Sequence, residues 1–152
     1  MTSNITLEEF EVTAKKWLDE NAQKKPDTSE KEAEWGEGEF SVAVFHNLTF
    51  EEERDLLQEA AAWQMAKAKH GYHAITWPTL YGGLDLPIEY ARAFASLESG
   101  YITPSRHETF SVTTRLIAPT ILQYGTDDQK NELLSDLFSA KTFCCQLFSE
   151  PG

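Results

Sequence analysis

The chain has 152 residues, of which 41% are hydrophobic and 12% aromatic, so it can bury a core and is not a wholly disordered protein. Its net charge is −12, and residues 1–59 hold 16 acidic against 6 basic residues. This balance argues against nucleic acid or an anionic membrane as a partner, because both bind clustered Lys and Arg. No apolar run approaches the roughly 20 residues that span a bilayer, and the acidic start resembles no targeting signal, so we expect a cytoplasmic protein without membrane insertion.

The first 48 residues are predicted to form one helix and a long loop. Thr6 and Glu9 have the spacing of a capping box, and apolar residues recur at helical period after them, which predicts a helix from about Thr6 to Asn21. Residues 22–48 contain Pro, Gly and interleaved acidic residues without a clean period. This composition indicates a long loop.

Two helices follow in the middle of the chain. Thr49 and Glu52 repeat the capping box at the start of a helix predicted over 49–70, and Gly71 is suited to end it. After a turn-rich stretch, residues 87–100 are predicted as a helix, because Pro stands in its first turn and an apolar face follows.

The last part of the chain is predicted to form two helices and a strand. A helix over 108–124 is interrupted by Pro119, which should kink the helix or split it in two. A helix over 126–139 begins at another capping box. The apolar residues 143–148 predict a strand. A lone strand at the end of a domain has no ladder partner, so we expect the chain to be truncated there.

The two cysteines, Cys144 and Cys145, are adjacent within this predicted strand. Neighbouring cysteines rarely form a disulfide with each other because the geometry is strained, and no further ligands stand at the spacing of a metal site. We therefore interpret them as small residues on opposite faces of a buried strand.

Three short motifs in order give the chain a resemblance to a known family. Together they resemble the acyl-CoA dehydrogenase family: its turn before the third long helix, the start of the last helix of its N-terminal domain, and the opening of its flavin motif. The motifs are Trp77-Pro78 with Tyr81-Gly82-Gly83, Tyr124-Gly125-Thr126 with Gln129-Lys130, and Phe148-Ser149-Glu150-Pro151-Gly152.

The resemblance implies a fold and a domain organisation. Residues 1–142 are expected to form the family's all-α N-terminal domain, an up-and-down bundle of about five to six helices. Residues 143–152 are expected to begin the middle β-barrel domain, which this chain lacks together with the C-terminal helical domain.

The resemblance also implies an activity. Enzymes of the family bind FAD, remove the α-proton of an acyl-CoA thioester with a carboxylate base, and transfer the β-hydrogen as hydride to the flavin. That base would lie beyond residue 152, so the isolated chain is expected to be inactive. The implied partners are the missing domains, an acyl-CoA substrate, further subunits in a homo- or hetero-oligomer such as a tetramer, and an acceptor such as an electron-transfer flavoprotein.

By the same resemblance, the terminal strand contacts the flavin through Gln146, Phe148 and Ser149. A hydroxyl donor at Ser149 would stabilise the electron density that the reduced ring gains. A strand-end Ser also commonly bonds its own backbone, so that alternative stays open.

The resemblance further places Thr109, Val112 and Leu116 on one helix face that lines the acyl tunnel. These side chains are small or apolar, which suits an acyl chain. By the sequence alone, ordinary core packing explains the same spacing.

The remaining polar candidates are assigned no chemistry. No metal site is predicted, because the histidines lack ligands nearby, and His70 and His73 are interpreted as surface or capping residues. Glu98 and Glu108 are interpreted as solvated charges at helix ends.

Two alternative functions remain. Flavin oxidases and monooxygenases use the same helical front, and the residues that separate them lie beyond residue 152. The second alternative is a helical interaction module without a cofactor, and the apolar terminal strand argues against it.

Overall fold

The structure is a computed structural model that describes residues 5–26, 48–104 and 108–145. Within these ranges the predicted all-α class is confirmed, with one small sheet in addition. The helices are α1 (Leu7–Asn21), α2 (Phe50–Ala68), α3 (Ile88–Glu98), α4 (Glu108–Phe110), α5 (Ala118–Tyr124) and α6 (Asp127–Phe138), with a π-helical segment at Ser111–Ile117 and a 3-10 turn at Thr79–Tyr81.

Three of these helices begin at the predicted capping boxes. In each, the Thr hydroxyl accepts a hydrogen bond from the backbone N–H three residues later, and the side chain of that residue accepts one from the Thr backbone N–H. The exchange satisfies donors that a helix N-terminus otherwise leaves unpaired. The pairs are Thr6 with Glu9, Thr49 with Glu52, and Thr126 with Gln129.

The first core joins α1, α3 and the segment after α2. α1 buries the stripe that its sequence predicts, which includes Phe10, Trp17 and Leu18. This stripe packs on Tyr72 and Phe94, whose rings stack at a centroid distance of 4.8 Å. Each large side chain buried in this way contributes about 1.5–3 kcal/mol to folding.

A second core lies on the opposite side of the 72–77 segment. Leu134, Leu137 and Phe138 of α6 pack on Ala118 of α5. Trp77 closes this core, with its ring centroid 3.9 Å from that of Phe138. The segment between α2 and α3 is therefore held from both sides.

A small antiparallel sheet ties the end of α1 to the end of α3. Its strands are β1 (Gln23–Lys24) and β2 (Tyr101–Ile102), and Gln23 pairs with Ile102. The prediction of a loop over 22–48 is wrong at Gln23–Lys24, which form β1. The local sequence does not show this, because the partner strand lies far along the chain. Residues 27–47 of that loop lie outside the described residues.

The glycine pair of the turn before α3 has a steric reason. Gly82 adopts the left-handed conformation at φ 87°, which favours glycine. A Cβ on Gly83 would overlap the backbone carbonyls of Trp77 and Ala74. The backbone of the turn therefore packs directly against the backbone of Ala74 and Trp77 at Gly83.

The helix that contains Pro119 continues through the proline. The backbone stays right-handed helical at Ile117 and Ala118, and the Ala118 N–H donates to the Thr113 carbonyl in the wide π register. Instead of breaking at Pro119, the helix changes its hydrogen-bond register from π to α just before the proline. The missing amide of the proline falls where the hydrogen bonds already change register, so the helix absorbs it.

The C-terminal segment is not a strand over its described part. Phe143, Cys144 and Cys145 have no regular secondary structure, because no ladder partner lies beside them in the described chain. Cys144 is partly buried and Cys145 is exposed, and both are free thiols. Residues 146–152 of the predicted strand and flavin motif lie outside the described residues.

Of the helices in the described ranges, none combines the length and the apolar character needed to cross a bilayer.

Candidate functional site

A cavity of about 290 Å³ lies between α2, α3, the 72–77 segment and the π-helical segment. Its wall mixes polar and apolar side chains from all four. They include Trp63, Gln64 and Lys67 of α2, Phe94 and Glu98 of α3, His73 and Thr76, Thr103, and Ser111, Thr114 and Arg115 of the π segment. We refer to this space as the cavity.

One end of the cavity contains a buried ion pair. The Lys67 ammonium lies 3.1 Å from Glu98 Oε1, and their side chains are only 9% and 14% exposed. Trp63 Nε1 donates to the same carboxylate oxygen at 2.8 Å. The interpretation of Glu98 as a solvated helix-end charge is therefore wrong, because α2 brings a cation and an indole N–H to it from 31 and 35 residues away.

His73 forms part of the cavity wall as a neutral imidazole. Burial, together with the charge of Lys67, lowers the pKa of His73 to about 4. Its buried Nδ1 has no hydrogen-bond partner within the described chain, and its ring lies against Gly82. The interpretation of His73 as a surface or capping residue is wrong, because its Nδ1 is buried and the residue lines the cavity. His70, by contrast, is exposed.

The π segment supplies the opposite, polar wall. Ser111 is half-buried and Arg115 is exposed, and both reach the cavity. Thr114, between them, donates its hydroxyl hydrogen to the Phe110 carbonyl at 2.6 Å. Within the described residues, Arg115 makes no ion pair.

The predicted tunnel residues lie on this helix but not on the cavity wall. Thr109 and Val112 are half-buried, and Leu116 is 45% exposed. Their spacing of three and four residues describes one face of an α-helix, whereas this stretch largely follows the wider π register. Their role in a tunnel stays a prediction. Glu108 is exposed, in keeping with a solvated charge.

The predicted flavin contacts Gln146, Phe148 and Ser149 lie outside the described residues, as do His46 and His107. The cavity itself does not fit a whole FAD, because its 290 Å³ is at the lower limit of roughly 300–1,000 Å³ for ligand pockets. The cavity alone is therefore too small to enclose that cofactor. In the same ranges, no group of three His, Cys, Asp or Glu residues could hold a metal ion.

The sequence contains one signal for the cavity, a lysine among the apolar residues of α2. Lys67 follows Ala60 by seven residues and Gln64 by three, which places it on the apolar stripe of its helix. A lysine on a buried stripe requires a carboxylate partner. The partner itself could not be found, because Glu98 belongs to another helix.

Comparison with known proteins agrees with the motifs. The model of the acyl-CoA dehydrogenase N-terminal domain matches residues 6–141. The chain is also similar to the acyl-CoA dehydrogenases IpdE1 of Mycolicibacterium smegmatis and Mycobacterium tuberculosis, at 28% identity over 100 residues in both cases. The match covers 66% of this chain but only 25% and 26% of those relatives. By the match over residues 6–141, the chain belongs to the acyl-CoA dehydrogenase N-terminal domain family.

Proposed function

We propose that the chain is the N-terminal helical part of an FAD-dependent acyl-CoA dehydrogenase, and that the cavity receives part of the acyl group. The observation that carries the proposal is the family match over nearly the whole described chain, together with an internal cavity bounded by its helices. An interaction module without a cofactor accounts for neither.

In the proposed reaction, a base removes the α-proton of the thioester, and a bound flavin supplies the acceptor for the β-hydrogen. The part of this chain is to bind the acyl group and keep water away from it. Glu98 is the one carboxylate on the cavity wall in the described ranges, and Lys67 and Trp63 already hold it. A general base must be free to take a proton, so we assign the base to a part of the enzyme outside this chain.

The C-terminal segment supports a role in cofactor binding. The Thr113 hydroxyl accepts a hydrogen bond from the Cys144 N–H at 2.9 Å, which fixes the segment to the π-helical wall. Residues 146–149 come next in the sequence, and we propose that Gln146, Phe148 and Ser149 contact the flavin. The remaining contacts, further subunits and an electron-transfer flavoprotein as acceptor belong to the same proposal.

The test compares the 152-residue chain with a protein that also contains the barrel and C-terminal helical domains. We expect the longer protein to contain FAD and to reduce a dye acceptor when an acyl-CoA is added without oxygen. The chain alone should contain little flavin and show no turnover. Stoichiometric flavin on the chain alone would contradict the division of the site, and a longer protein without acyl-CoA-dependent reduction would overturn the function. Fast consumption of oxygen would indicate the oxidase or monooxygenase alternative.

Two further results are expected from the same material. In the longer protein, Ser149→Ala should slow flavin reduction about tenfold, since about 1.4 kcal/mol of transition-state stabilisation is tenfold in rate, while the thermal melt stays unchanged. If Ser149 instead bonds its own strand, stability should fall and the rate should stay normal.

In the chain alone, exposed apolar side chains such as Leu116 and Tyr124 should drive self-association, and sedimentation as a strict monomer would contradict this.

A further inference from the structure

The cavity wall holds more unused hydrogen-bond donors than an alkyl chain requires. Pockets for apolar ligands are lined mostly by apolar side chains with few polar groups. Here Thr76, Thr103 and Ser111 line the cavity, and none of their hydroxyls makes a hydrogen bond within the described ranges. Donors left in this way are satisfied by water or by a ligand.

One cation among the described residues of the cavity wall has no opposite charge beside it. Lys67 and Glu98 neutralise each other at 3.1 Å, and His73 is a neutral imidazole. Among the described residues, Arg115 carries the remaining charge on the cavity wall, and it has no carboxylate partner there. A guanidinium presents donors and no acceptor, so it matches an oxygen acceptor on a ligand.

The π segment places the two groups of most interest together. Ser111 and Arg115 are four residues apart within one π-helical run, and both reach the cavity. Ser111 is half-buried and Arg115 is exposed, so the site would combine a more sheltered hydroxyl with a more solvated guanidinium. An acceptor oxygen between them would receive one neutral and one charge-assisted hydrogen bond.

From this arrangement we infer that the cavity selects an acyl group that bears an acceptor oxygen, of a carbonyl or a carboxylate, in addition to its thioester, and that Arg115 and Ser111 are the residues that recognise it. The inference rests on the proposed function, since it takes the cavity to be the acyl site. It names the substrate class as oxygenated acyl groups in place of plain alkyl chains.

The test measures binding of three thioesters of equal chain length to the 152-residue chain by calorimetry: hexanoyl-CoA, 5-oxohexanoyl-CoA and adipyl-CoA. A hydrogen bond to a charged group contributes about 1.5–3 kcal/mol, so at least one oxygenated probe should bind about tenfold more tightly than hexanoyl-CoA. Preference for 5-oxohexanoyl-CoA assigns a carbonyl, and preference for adipyl-CoA alone assigns a carboxylate.

Two variants and a control make the assignment specific. Arg115→Met and Ser111→Ala should each lower the ratio of the affinity for the preferred oxygenated probe to the affinity for hexanoyl-CoA. Arg92→Met removes an exposed arginine of α3 that does not reach the cavity, and it should keep the full preference.

The possible failures separate the two proposals. Equal binding of the three probes, or a preference that survives Arg115→Met and Ser111→Ala, overturns the oxygenated substrate and leaves an acyl site in place. Absence of binding by all three probes overturns the acyl site and this inference with it.

Discussion

The fully buried hydroxyl of Thr113 accepts a hydrogen bond from the backbone N–H of Cys144 at a distance of 2.9 Å. The two residues are 31 positions apart, so one side chain in the π segment holds the last described stretch of the chain. Because this stretch forms no strand, the side chain takes the place of a ladder partner for that amide.

Replacing Thr113 tests this relationship. Thr113→Val keeps the shape but leaves the Cys144 N–H unpaired, which should lower the free energy of unfolding by about 1–3 kcal/mol. Urea denaturation measures the loss, and hydrogen exchange at the Cys144 amide should become faster. Thr113→Ser retains the hydroxyl and is the matched control for the lost bond. A Val variant with unchanged stability and exchange would contradict the role of the hydroxyl.

Breaking the Lys67–Glu98 pair should be costly. Lys67→Met leaves a carboxylate that is only 14% exposed without its cation, and loss of one partner of a buried pair costs about 3–5 kcal/mol. Replacing both, as Lys67→Met with Glu98→Gln, removes both charges and keeps an amide oxygen that accepts from Trp63 Nε1, so it should recover most of this stability. Both variants are compared by urea denaturation.

The exposed pair of Lys141 and Asp136 provides the control for that measurement. Their side chains are 62% and 48% exposed, and pairs of this kind contribute about 0–1 kcal/mol. Lys141→Met should therefore change the free energy of unfolding little. A Lys67→Met variant no less stable than Lys141→Met would show that the buried pair does not stabilise the fold.

Gly83 should not tolerate a methyl group. Its Cβ would overlap the carbonyl oxygens of Trp77 and Ala74, which are backbone atoms and cannot rotate away. Overpacking of this kind costs about 1–3 kcal/mol, so Gly83→Ala should lower the melting temperature. Gly100→Ala is the control, because its Cβ would meet the Leu97 carbonyl at an ordinary 3.5 Å. Equal melting temperatures for the two variants would refute the steric argument.

His73 should make stability depend on pH. Its pKa in the folded chain is about 4, against 6.5 for an ordinary histidine, so between these values the unfolded chain binds more protons. Stability from this group is therefore present above pH 6.5 and is lost as the pH falls towards 4. The full pKa difference corresponds to about 3 kcal/mol, and on the order of 1–2 kcal/mol remains after solvent screening of the partly exposed ring.

His73→Gln isolates this contribution. Urea denaturation at several pH values should show a smaller loss of stability between pH 6.5 and 4 in this variant than in the parent chain. His70→Gln, at an exposed histidine, should keep the full loss. If both variants follow the parent curve, acidic groups cause the pH dependence instead.

Local patterns predicted the helices well. The capping box at Thr49 and Glu52 placed the start of α2 within one residue, because both partners of the motif are neighbours in sequence. The left-handed Gly71 marks the stop after the same helix. Such signals depend only on backbone groups within one turn, so the rest of the fold does not alter them.

The cavity was harder to predict because its contacts join distant residues. The apolar stripe of α2 contains Lys67, but its partner Glu98 becomes visible only when α3 packs beside it. The same holds for β1, whose partner strand lies far along the chain. The π register of Ser111–Ile117 also differs from the α-helical period that the spacing of Thr109, Val112 and Leu116 predicts.

The π register lets one helix face two different neighbours in succession. In a regular α-helix, residues seven apart such as Ser111 and Ala118 return to the same face. The wider turn moves Ala118 out of phase, so it is fully buried against Leu134, while Ser111 and Arg115 line the cavity. Deleting one residue from this segment should therefore return it to the α-helical register, so that α5 keeps its packing side while the ligand side of the helix is rebuilt.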